Sequence, residues 1–572
     1  MKYFFKYIYS FLLLIVILLP SSKTFSMNAE TKYSQENISN YFLGIVSLDQ
    51  DNTTTGFKYL NKVQFLKNIH SNYNVQFVRS LVLLNKFDKA FSFSKSVWHE
   101  DENFFEADLL LGIEYFLKKD YLKAEKHFER LNEFSRYNIF FDDFFGNTLI
   151  AWVKASQNDK ENSFRILNKI PARYSHLKII QNVFLQCYFN TSETENAYKK
   201  LINNKDFNLS RYKVFFSNYF LHKKNNKAAL SLVKSNKDKL NSNLLLKQSE
   251  FFILNGESKK VKNFFNCENP KNSMAEFFYV IANLYNSQKN YQLSNFYLKI
   301  SLFLNEKFTP NKTLLAENFY YQKKYNKAKD AYKLMKSIGP IYSWYASKNI
   351  ATILLDTKDK KYATTSLEKA FNSLKKPNYE KYYDLANYYK DNEYFKKSIK
   401  YYSLTLKKIK KNHSLVPKIL DRRGSSYERV GDWDKAEKDL KKSLELVPDD
   451  PYVLNYLAYS WIEKKINIDQ ALKMLKRATE LKKNDGYIVD SLGWAHYLNK
   501  NYIEAEKLLK KAVELIPFDP IISDHYADAL WMVDKKIQAR YLWKSILKID
   551  SAKEKLKKNV TKKLIFGITK NL

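Results

Sequence analysis

The residues best suited to metal chemistry lie near the C-terminal end of the sequence. His496 and His525 fall in successive helices of one pattern and could be neighbours, with Asp490, Asp524 and Asp528 nearby. Imidazole nitrogens and carboxylate oxygens are ligands that zinc and other divalent metals accept. The remaining histidines have no histidine or cysteine partner at short range. We expect these side chains to be polar groove or packing residues rather than metal ligands.

Paired carboxylates are the second candidates for chemistry, because two such groups can act as general acid and general base. Glu504 with Glu506, and Asp524 with Asp528, lie in helical patterns. Glu504 also fits the capping box of a helix that starts after Asn501. Acid–base catalysis needs a closed pocket that shifts a pKa, and an open helical surface rarely provides one. The sequence therefore predicts no catalytic residue, metal or cofactor, and a protein that is not an enzyme.

These side chains lie in helices that recur along the sequence at a nearly constant interval. One small residue recurs at intervals of 34, 35 and 34 residues, at Gly424, Ala458, Gly493 and Ala527. A second recurs at intervals of 35, 34 and 34 residues, at Ala436, Ala471, Ala505 and Ala539. Small residues at these positions let the two helices of a unit approach closely, and stacked units bury a continuous core.

This pattern resembles the tetratricopeptide repeat, which has W-x2-L-G-x2-Y in its first helix and A-x3-F in its second. One copy is carried by Leu492, Gly493, Ala505, Leu509, Ala512 and Pro517. The resemblance is strong over residues 311–550, weaker at 275–310 and 100–135, and thin elsewhere. It implies an all-α fold, a right-handed α-solenoid superhelix of stacked antiparallel helix pairs.

The resemblance also indicates where a partner would bind, since ligands of this family usually lie along the inner face formed by the first helices. Counting helical turns from each small residue predicts a groove formed by Tyr452, Asn455, Tyr459, Tyr487, Asp490, Trp494, Tyr497, Asp524, Asp528 and Trp531. Aromatic anchors beside carboxylates suit an extended or helical segment with basic residues. Asn455 could belong to the family's peptide-carboxylate clamp, although its acidic neighbours argue against that mode. Alternatively, several of the aromatic residues pack between repeats.

The strong positive charge of the chain does not indicate nucleic-acid binding. The formal net charge is +36, but the lysines are spread along the whole chain and arginine, the better bidentate ligand for phosphate and guanine, is rare. We expect a solvated surface rich in lysine and no nucleic-acid partner. Such a surface would still attract acidic partners, and peripheral contact with an anionic membrane is an expectation.

The N-terminal residues have the layout of a secretory signal peptide. Lys2 and Lys6 precede the apolar run 7–19, and small residues lead to a cleavage position near Ser26. We expect an exported, periplasmic bacterial protein, or alternatively one held at the inner membrane by an uncleaved segment. The only cysteines, Cys187 and Cys267, form no CxxC motif, and we expect buried free thiols.

These patterns divide the chain into four segments: a signal peptide at 1–26, degenerate repeats at 27–310, a regular repeat array at 311–550, and a capping helix with tail at 551–572. The predicted function is a non-enzymatic scaffold or adaptor in the cell envelope that binds a protein or peptide partner. Two alternatives remain. One is a regulatory or assembly subunit of a cell-wall or glycan enzyme complex. The other is a lysine-mediated binder of anionic polymer or membrane surface.

Overall fold

The computed structural model describes residues 34–102, 104–135, 143–204, 210–234, 243–357 and 359–568. Within these ranges every regular element is a helix, which confirms the predicted all-α fold. No helix in the described part of the chain is both long enough and apolar enough to cross a membrane. The predicted signal peptide, with its cleavage position near Ser26, lies outside the described residues.

The chain folds into two units. Among the described residues, the first comprises 34–234 and 243–370, and the second comprises 371–568. Contacts between helices define this division. The boundary that we predict after residue 310 reflects instead where the repeats become regular, and it stays a prediction.

The first unit contains twenty α-helices, among the residues described, that follow one another along the chain. They are α1 (Gln35–Asp49), α2 (Thr53–Leu60), α3 (Ser71–Leu83), α4 (Phe87–Val97), α5 (Phe105–Leu117), α6 (Tyr121–Ser135), α7 (Phe144–Ser156), α8 (Lys160–Asn168), α9 (Ser175–Tyr188), α10 (Thr194–Ile202), α11 (Ser210–His222), α12 (Asn226–Val233), α13 (Leu244–Leu254), α14 (Ser258–Lys262), α15 (Pro270–Ser287), α16 (Tyr291–Leu304), α17 (Thr309–Tyr321), α18 (Tyr325–Met335), α19 (Pro340–Asp356) and α20 (Lys360–Asn372), which contains the boundary. Two 3-10 helices, Asn61–Asn68 and Ala172–Tyr174, complete it.

The core of the first unit is rich in aromatic side chains and contains a disulfide bond. The rings of Phe215 and Phe265 stack with centroids 4.2 Å apart, and Phe184 packs against Phe265 at 4.8 Å. Beside them, Cys187 at the end of α9 is bonded to Cys267 in the turn before α15, with their Cα atoms 5.9 Å apart. The expectation of free thiols is therefore wrong. Both residues are buried as expected, but a separation of 80 residues hid their proximity.

The second unit consists of helix pairs at the spacing that the repeat predicts. Its helices are α21 (Tyr379–Asp391), α22 (Phe395–Lys408), α23 (Val416–Arg429), α24 (Trp433–Leu446), α25 (Pro451–Glu463), α26 (Ile468–Leu481), α27 (Gly486–Leu498), α28 (Tyr502–Leu515), α29 (Pro520–Met532), α30 (Lys536–Ile546) and α31 (Glu554–Phe566). In each pair from α21 to α30 the odd-numbered helix comes first, and a turn of a few residues reverses the chain.

The recurring small residues lie where the helices of a pair approach most closely. A Cβ atom on Gly493 would come within 2.7 Å of Leu509 Cγ, so a larger residue at 493 would collide with α28. The second-helix residues Ala436, Ala471, Ala505 and Ala539 are fully buried. The repeat period therefore follows from packing, because each pair needs the same close approach at the same place.

Aspartate side chains fix the start of three first helices. Asp450, Asp485 and Asp519 each accept hydrogen bonds from backbone N–H groups of the first helical turn. A proline at the first helical position follows two of them, at Pro451 and Pro520. Capping of this kind satisfies N–H groups that have no partner within the helix, and it orients the side chains that follow.

Candidate partner-binding site

The first helices of the second unit share one surface, which we call the first-helix face. It is formed by α23, α25, α27 and α29, and it contains a cavity of about 480 Å³. Cavities of this size are typical of ligand pockets, which span roughly 300–1,000 Å³. The cavity is lined by Glu428, Arg429, Asn455, Tyr456, Tyr459, Ser460, Glu463, Lys464, Tyr487, Asp490, Ser491, Ile521 and His525.

Large exposed side chains form a row at one end of this face. Tyr452, Tyr487 and Ile521 each occupy the second position of a first helix, and they are 57%, 58% and 56% exposed. Tyr487 and Ile521 also line the cavity. Their common position follows from the aspartate caps, which start each helix at the same phase. The three side chains give this end of the face an exposed aromatic and apolar surface.

One residue of the cavity lining, Asn455, carries a buried acceptor without a partner. Asn455 Oδ1 is buried and has no hydrogen-bond partner among the described residues. A buried polar atom without a partner loses its hydration and gains nothing in return, at a cost of about 1–3 kcal/mol. Because this atom is closed to solvent, its unmet acceptor belongs to the packing beneath the cavity wall.

A stack of three rings forms one flank of the site. Trp494 lies parallel to Tyr497, with centroids 4.6 Å apart, and parallel to His525, at 4.0 Å. The indole N–H of Trp494 donates to Glu463 Oε1 at 2.9 Å, which fixes the ring. The stack presents a rigid aromatic surface, the type of group that dominates binding energy at protein interfaces.

His525 is held by Asp490. The Nδ1 atom of His525 lies 3.0 and 3.1 Å from the two carboxylate oxygens of Asp490. Burial by itself would lower the pKa of His525, but the attraction of Asp490, aided by Asp524 and Asp528, raises it above its ordinary value. Asp490 therefore favours the protonated form of the buried imidazole.

Tyrosine hydroxyls form hydrogen bonds to two further carboxylates of the cavity, those of Glu428 and Glu463. The Tyr456 hydroxyl donates to Glu428 Oε2 at 3.0 Å. Burial, with the charges of Glu463 and Asp490, raises the pKa of Tyr459 well above its ordinary value. Its hydroxyl therefore stays protonated and can act as a donor. Each carboxylate can accept more than one bond, so acceptor capacity remains.

Three residues of the predicted groove lie elsewhere, beneath helix α31. The ammonium of Lys563 donates to Asp524 at 2.9 Å and to Asp528 at 2.7 Å. Burial and the neighbouring Asp524 raise the pKa of Asp528 to about 6, although Lys563 opposes the shift. Trp531 packs on Trp543, with centroids 5.4 Å apart, and closely approaches Gly567. These side chains contact the C-terminal helix and do not line the cavity.

The structure thus brings together seven residues of the predicted groove. Asn455, Tyr459, Tyr487 and Asp490 line the cavity, Tyr452 belongs to the exposed row, and Trp494 and Tyr497 form the ring stack. In the described residues no group of three or more histidine, cysteine or acidic side chains could hold a metal. The hydrogen-bonding partner of His525 is Asp490 and not His496.

Sequence reasoning missed several cavity residues for which a signal existed. Glu463 follows Tyr459 by one helical turn, and Glu428 follows Asp421, three positions before Gly424 as Asn455 is before Ala458, by two turns. Both therefore share a helix face with residues that define the groove. Ile521 occupies the same repeat position as Tyr452 and Tyr487, so the register alone could have added it.

One helix pair of this site matches a known family. Residues 417–450 match the family model of the tetratricopeptide repeat, and they span α23, α24 and the turn up to the cap of α25. A search of the curated proteins found no match to the chain. The matched repeat supplies one wall of the cavity, through Glu428 and Arg429.

Several solved structures are similar to the chain. Yeast Tom70 shows 18% identity over 79% of this chain and 94% of its own, with a TM-score of 0.37. The APC/C hetero-tetramer Cut9–Hcn1 shows 13% identity over 94% and 98%, with a TM-score of 0.35. A tetratricopeptide repeat protein from Parabacteroides merdae shows 20% identity over 39% and 86%, with a TM-score of 0.32. All three TM-scores are below 0.5.

Proposed function

We propose that this protein is a non-enzymatic scaffold that binds a protein partner through the first-helix face of its second unit. The observation that carries this proposal is the cavity with its exposed row, Tyr452, Tyr487 and Ile521, and its ring stack around Trp494. An aromatic anchor with apolar neighbours and a polar rim has the composition of a protein-binding hot spot. The matched tetratricopeptide repeat supports the same function.

We also propose that the protein acts in the envelope of a bacterium. The proposal is based on the N-terminal signal pattern, with its positive residues, apolar run and small residues near Ser26. The disulfide between Cys187 and Cys267 supports it, because structural disulfides persist in oxidising compartments such as the periplasm and are rare in the cytosol.

Site-directed photocrosslinking tests the binding surface. A photoreactive amino acid replaces Tyr487 on the first-helix face in one variant. In the matched control it replaces Ile503, which is 79% exposed on the second helix α28. We expect a discrete crosslinked partner from position 487 and none from position 503. Equal crosslinking from both positions would overturn the proposed binding face.

The partner recovered in this way then allows a competition test. An excess of unmodified mature protein should abolish crosslinking at position 487, because specific binding saturates. The Trp494→Ala variant should compete poorly. If it competed as well as the wild type, the ring stack would not belong to the binding surface.

A further inference from the structure

A cavity of the first unit is surrounded by lysines without a counter-charge. Its volume is about 850 Å³, and it lies among the ends of α11 and α16, helix α14 and the start of α15. Its lining contains one carboxylate, that of Glu306, and four lysines, Lys259, Lys262, Lys271 and Lys307. Among the described residues none of the four forms an ion pair. Like charges around one cavity repel each other, so a bound anion would relieve that repulsion.

Helix α14 shows that this lack of ion pairs is confined to the cavity. Lys260, which does not line it, lies 3.1 Å from Glu257 Oε2. Lys259 and Lys262 on the same helix line the cavity and have no carboxylate partner in the described part of the chain. Burial, and after it the charge of Lys262, lowers the pKa of His222 in the same lining, as expected beside an uncompensated cation.

Three asparagines of the same lining add hydrogen-bond donors. The side-chain oxygens of Asn266 and Asn269 accept hydrogen bonds from backbone N–H groups two positions later, at 3.0 and 3.1 Å. The side-chain oxygen of Asn272 accepts one from the backbone of Asn266 at 3.2 Å. The three amide NH2 groups have no acceptor within the described ranges, and none of them is closed to solvent. An asparagine whose oxygen is engaged in this way presents its two N–H donors.

The loop between α14 and α15, which carries Asn266 and Asn269, has its carbonyl groups bonded to the rest of the unit. The Asn305 side chain donates to the carbonyl of Phe264 at 3.1 Å, and the Asn218 side chain donates to that of Phe265. The disulfide bond of Cys267 ties the same loop to α9. The donors of the cavity therefore belong to a loop that is already held in place, which reduces the ordering cost of binding a ligand.

We propose that this cavity binds an anion with at least two phosphate groups, held by the four lysines and by the amide groups of Asn266, Asn269 and Asn272. Lysine binds phosphate as a point charge, and hydrogen bonds from N–H groups to an ionised acceptor are among the strong ones. A phosphate monoester carries about −1.5 to −2 charges and three acceptor oxygens, so two such groups match four lysines. The site lies in the first unit and does not depend on the proposed partner-binding face.

Inorganic tripolyphosphate is the probe, titrated into the mature chain by calorimetry at about 50 mM salt, where charges are weakly screened. We expect saturable binding. The double variant Lys259→Gln, Lys262→Gln should weaken it at least about tenfold, because charge-assisted hydrogen bonds are lost. The matched control is Lys260→Gln with Lys289→Gln, which removes the same charge outside the cavity and should change the affinity much less. No saturable binding, or equal weakening in both double variants, would overturn the inference.

The asparagine donors are tested by a substitution that preserves the fold. Asn269 caps α15 through its side-chain oxygen, and aspartate caps a helix as well as asparagine does. Asn269→Asp therefore keeps the cap but replaces the NH2 donor by a carboxylate oxygen, and it should weaken tripolyphosphate binding at least about fivefold. Asn290→Asp makes the same change at the cap of α16, outside the cavity, and should have little effect. Equal affinities for these two variants would show that the amide groups do not hold the ligand.

A soluble oligophosphate and a membrane with phosphate head groups share this chemistry, and vesicle sedimentation separates them. Phosphatidylcholine vesicles with and without phosphatidic acid are mixed with the mature chain. Binding to phosphatidic acid that is lost in Lys259→Gln, Lys262→Gln and kept in the control assigns the site to lipid head groups. Tripolyphosphate binding without vesicle binding assigns it to a soluble ligand. Vesicle binding that survives in Lys259→Gln, Lys262→Gln, with no tripolyphosphate binding, would mean that dispersed lysines bind the membrane and that the cavity is not a site.

Discussion

Two tryptophans of the first helices have different surroundings and should respond differently to removal. Trp494 is half-buried in the ring stack beside the cavity, whereas Trp531 packs on Trp543 and against the backbone at Gly567. A tryptophan anchor at an interface can contribute ~2 kcal/mol or more to binding, whereas a tryptophan that packs against other helices of its own fold contributes to folding. The same substitution therefore separates binding from stability.

We predict that Trp494→Ala weakens partner binding by at least about tenfold, which corresponds to ~1.4 kcal/mol, with a small change in thermal stability. Trp531→Ala should instead lower the melting temperature, because it removes the ring that packs on Trp543, with the about 3–5 kcal/mol of a fully buried tryptophan as an upper bound, and leave the affinity of the folded protein unchanged. Affinity titrations and circular dichroism melts check both effects. If binding were lost in Trp531→Ala and kept in Trp494→Ala, the prediction would be wrong and the interface would lie near α31.

His525 should make the stability of the second unit depend on pH. Its pKa in the folded protein is raised above the ordinary value of 6.5, against the opposing effect of burial, by Asp490 and the neighbouring aspartates. A raised pKa means that folding favours the protonated ring, so this stabilisation is complete below pH 6.5 and is lost as the pH rises through the folded-state pKa.

We therefore predict that His525→Gln destabilises the protein more at pH 6 than at pH 9. The measurement is the difference in melting temperature between variant and wild type at each pH. His496→Gln is the control, since burial lowers the pKa of His496 and no carboxylate hydrogen bond to it is present in the described structure. A His525→Gln effect that grew with pH would contradict the raised pKa of His525.

At the scale of helices, the repeat period depends on close approach within each pair. Ala505 is fully buried where α28 meets its neighbours, whereas Ile503 on the same helix is 79% exposed. We predict that Ala505→Trp lowers the melting temperature, because overpacking a buried site costs about 1–3 kcal/mol. Ile503→Trp should have little effect. Equal melting curves for Ala505→Trp and wild type would mean that the repeat register is misassigned.

The docking of α31 depends on one buried ion network. Lys563 bridges Asp524 and Asp528, and its removal leaves two neighbouring carboxylates without a cation. We predict that Lys563→Met destabilises the second unit by about 3 kcal/mol at pH 8, in the range for breaking a buried ion pair. The loss should be smaller at pH 5, because Asp528, with a pKa of about 6, is then protonated.

Urea unfolding at the two pH values measures this difference. Lys562→Met, which replaces an exposed lysine one position away, is the matched control and should be neutral at both. A loss for Lys563→Met that did not depend on pH would show that the two aspartates are not the groups it compensates.

The features that could be predicted from the sequence are the residues that recur at the same position of each repeat. The small residues, the aspartate caps and the row at Tyr452 and Tyr487 all follow from a period of about 34 residues, so their positions could be counted. Lys563 could not be placed, because α31 lies outside the repeat and its register on α29 depends on tertiary packing. For the same reason the prediction that Asp524, Asp528 and Trp531 line an open groove is wrong. Counting by the repeat period could not show that α31 packs over these three residues.

At the scale of the whole molecule, the disulfide of the first unit closes a segment of 80 residues. By the chain-entropy argument a loop of this length stabilises the folded state by about 4.5 kcal/mol. We predict that the Cys187→Ser, Cys267→Ser double variant unfolds at lower urea concentration than the wild type. Thiol titration in denaturant should find no free thiol in the wild-type protein until a reductant is added. Two free thiols would contradict the bond.

The disulfide also links the fold to the compartment in which the chain matures. If the N-terminal segment directs export, a reporter that is active only in the periplasm, fused after Met27, should show activity, and the mature product should be shorter than the full chain. A version without residues 2–26 would remain in the cytosol, where thiols are kept reduced, and we expect Cys187 and Cys267 to be free there. We expect oxidised thiols and a shortened product from the full-length gene, and reduced thiols from the truncated gene. This result would show that export is needed for the disulfide that stabilises the first unit. A full-length product with free thiols would contradict the envelope proposal while leaving the partner-binding face of the second unit to be judged by its own tests.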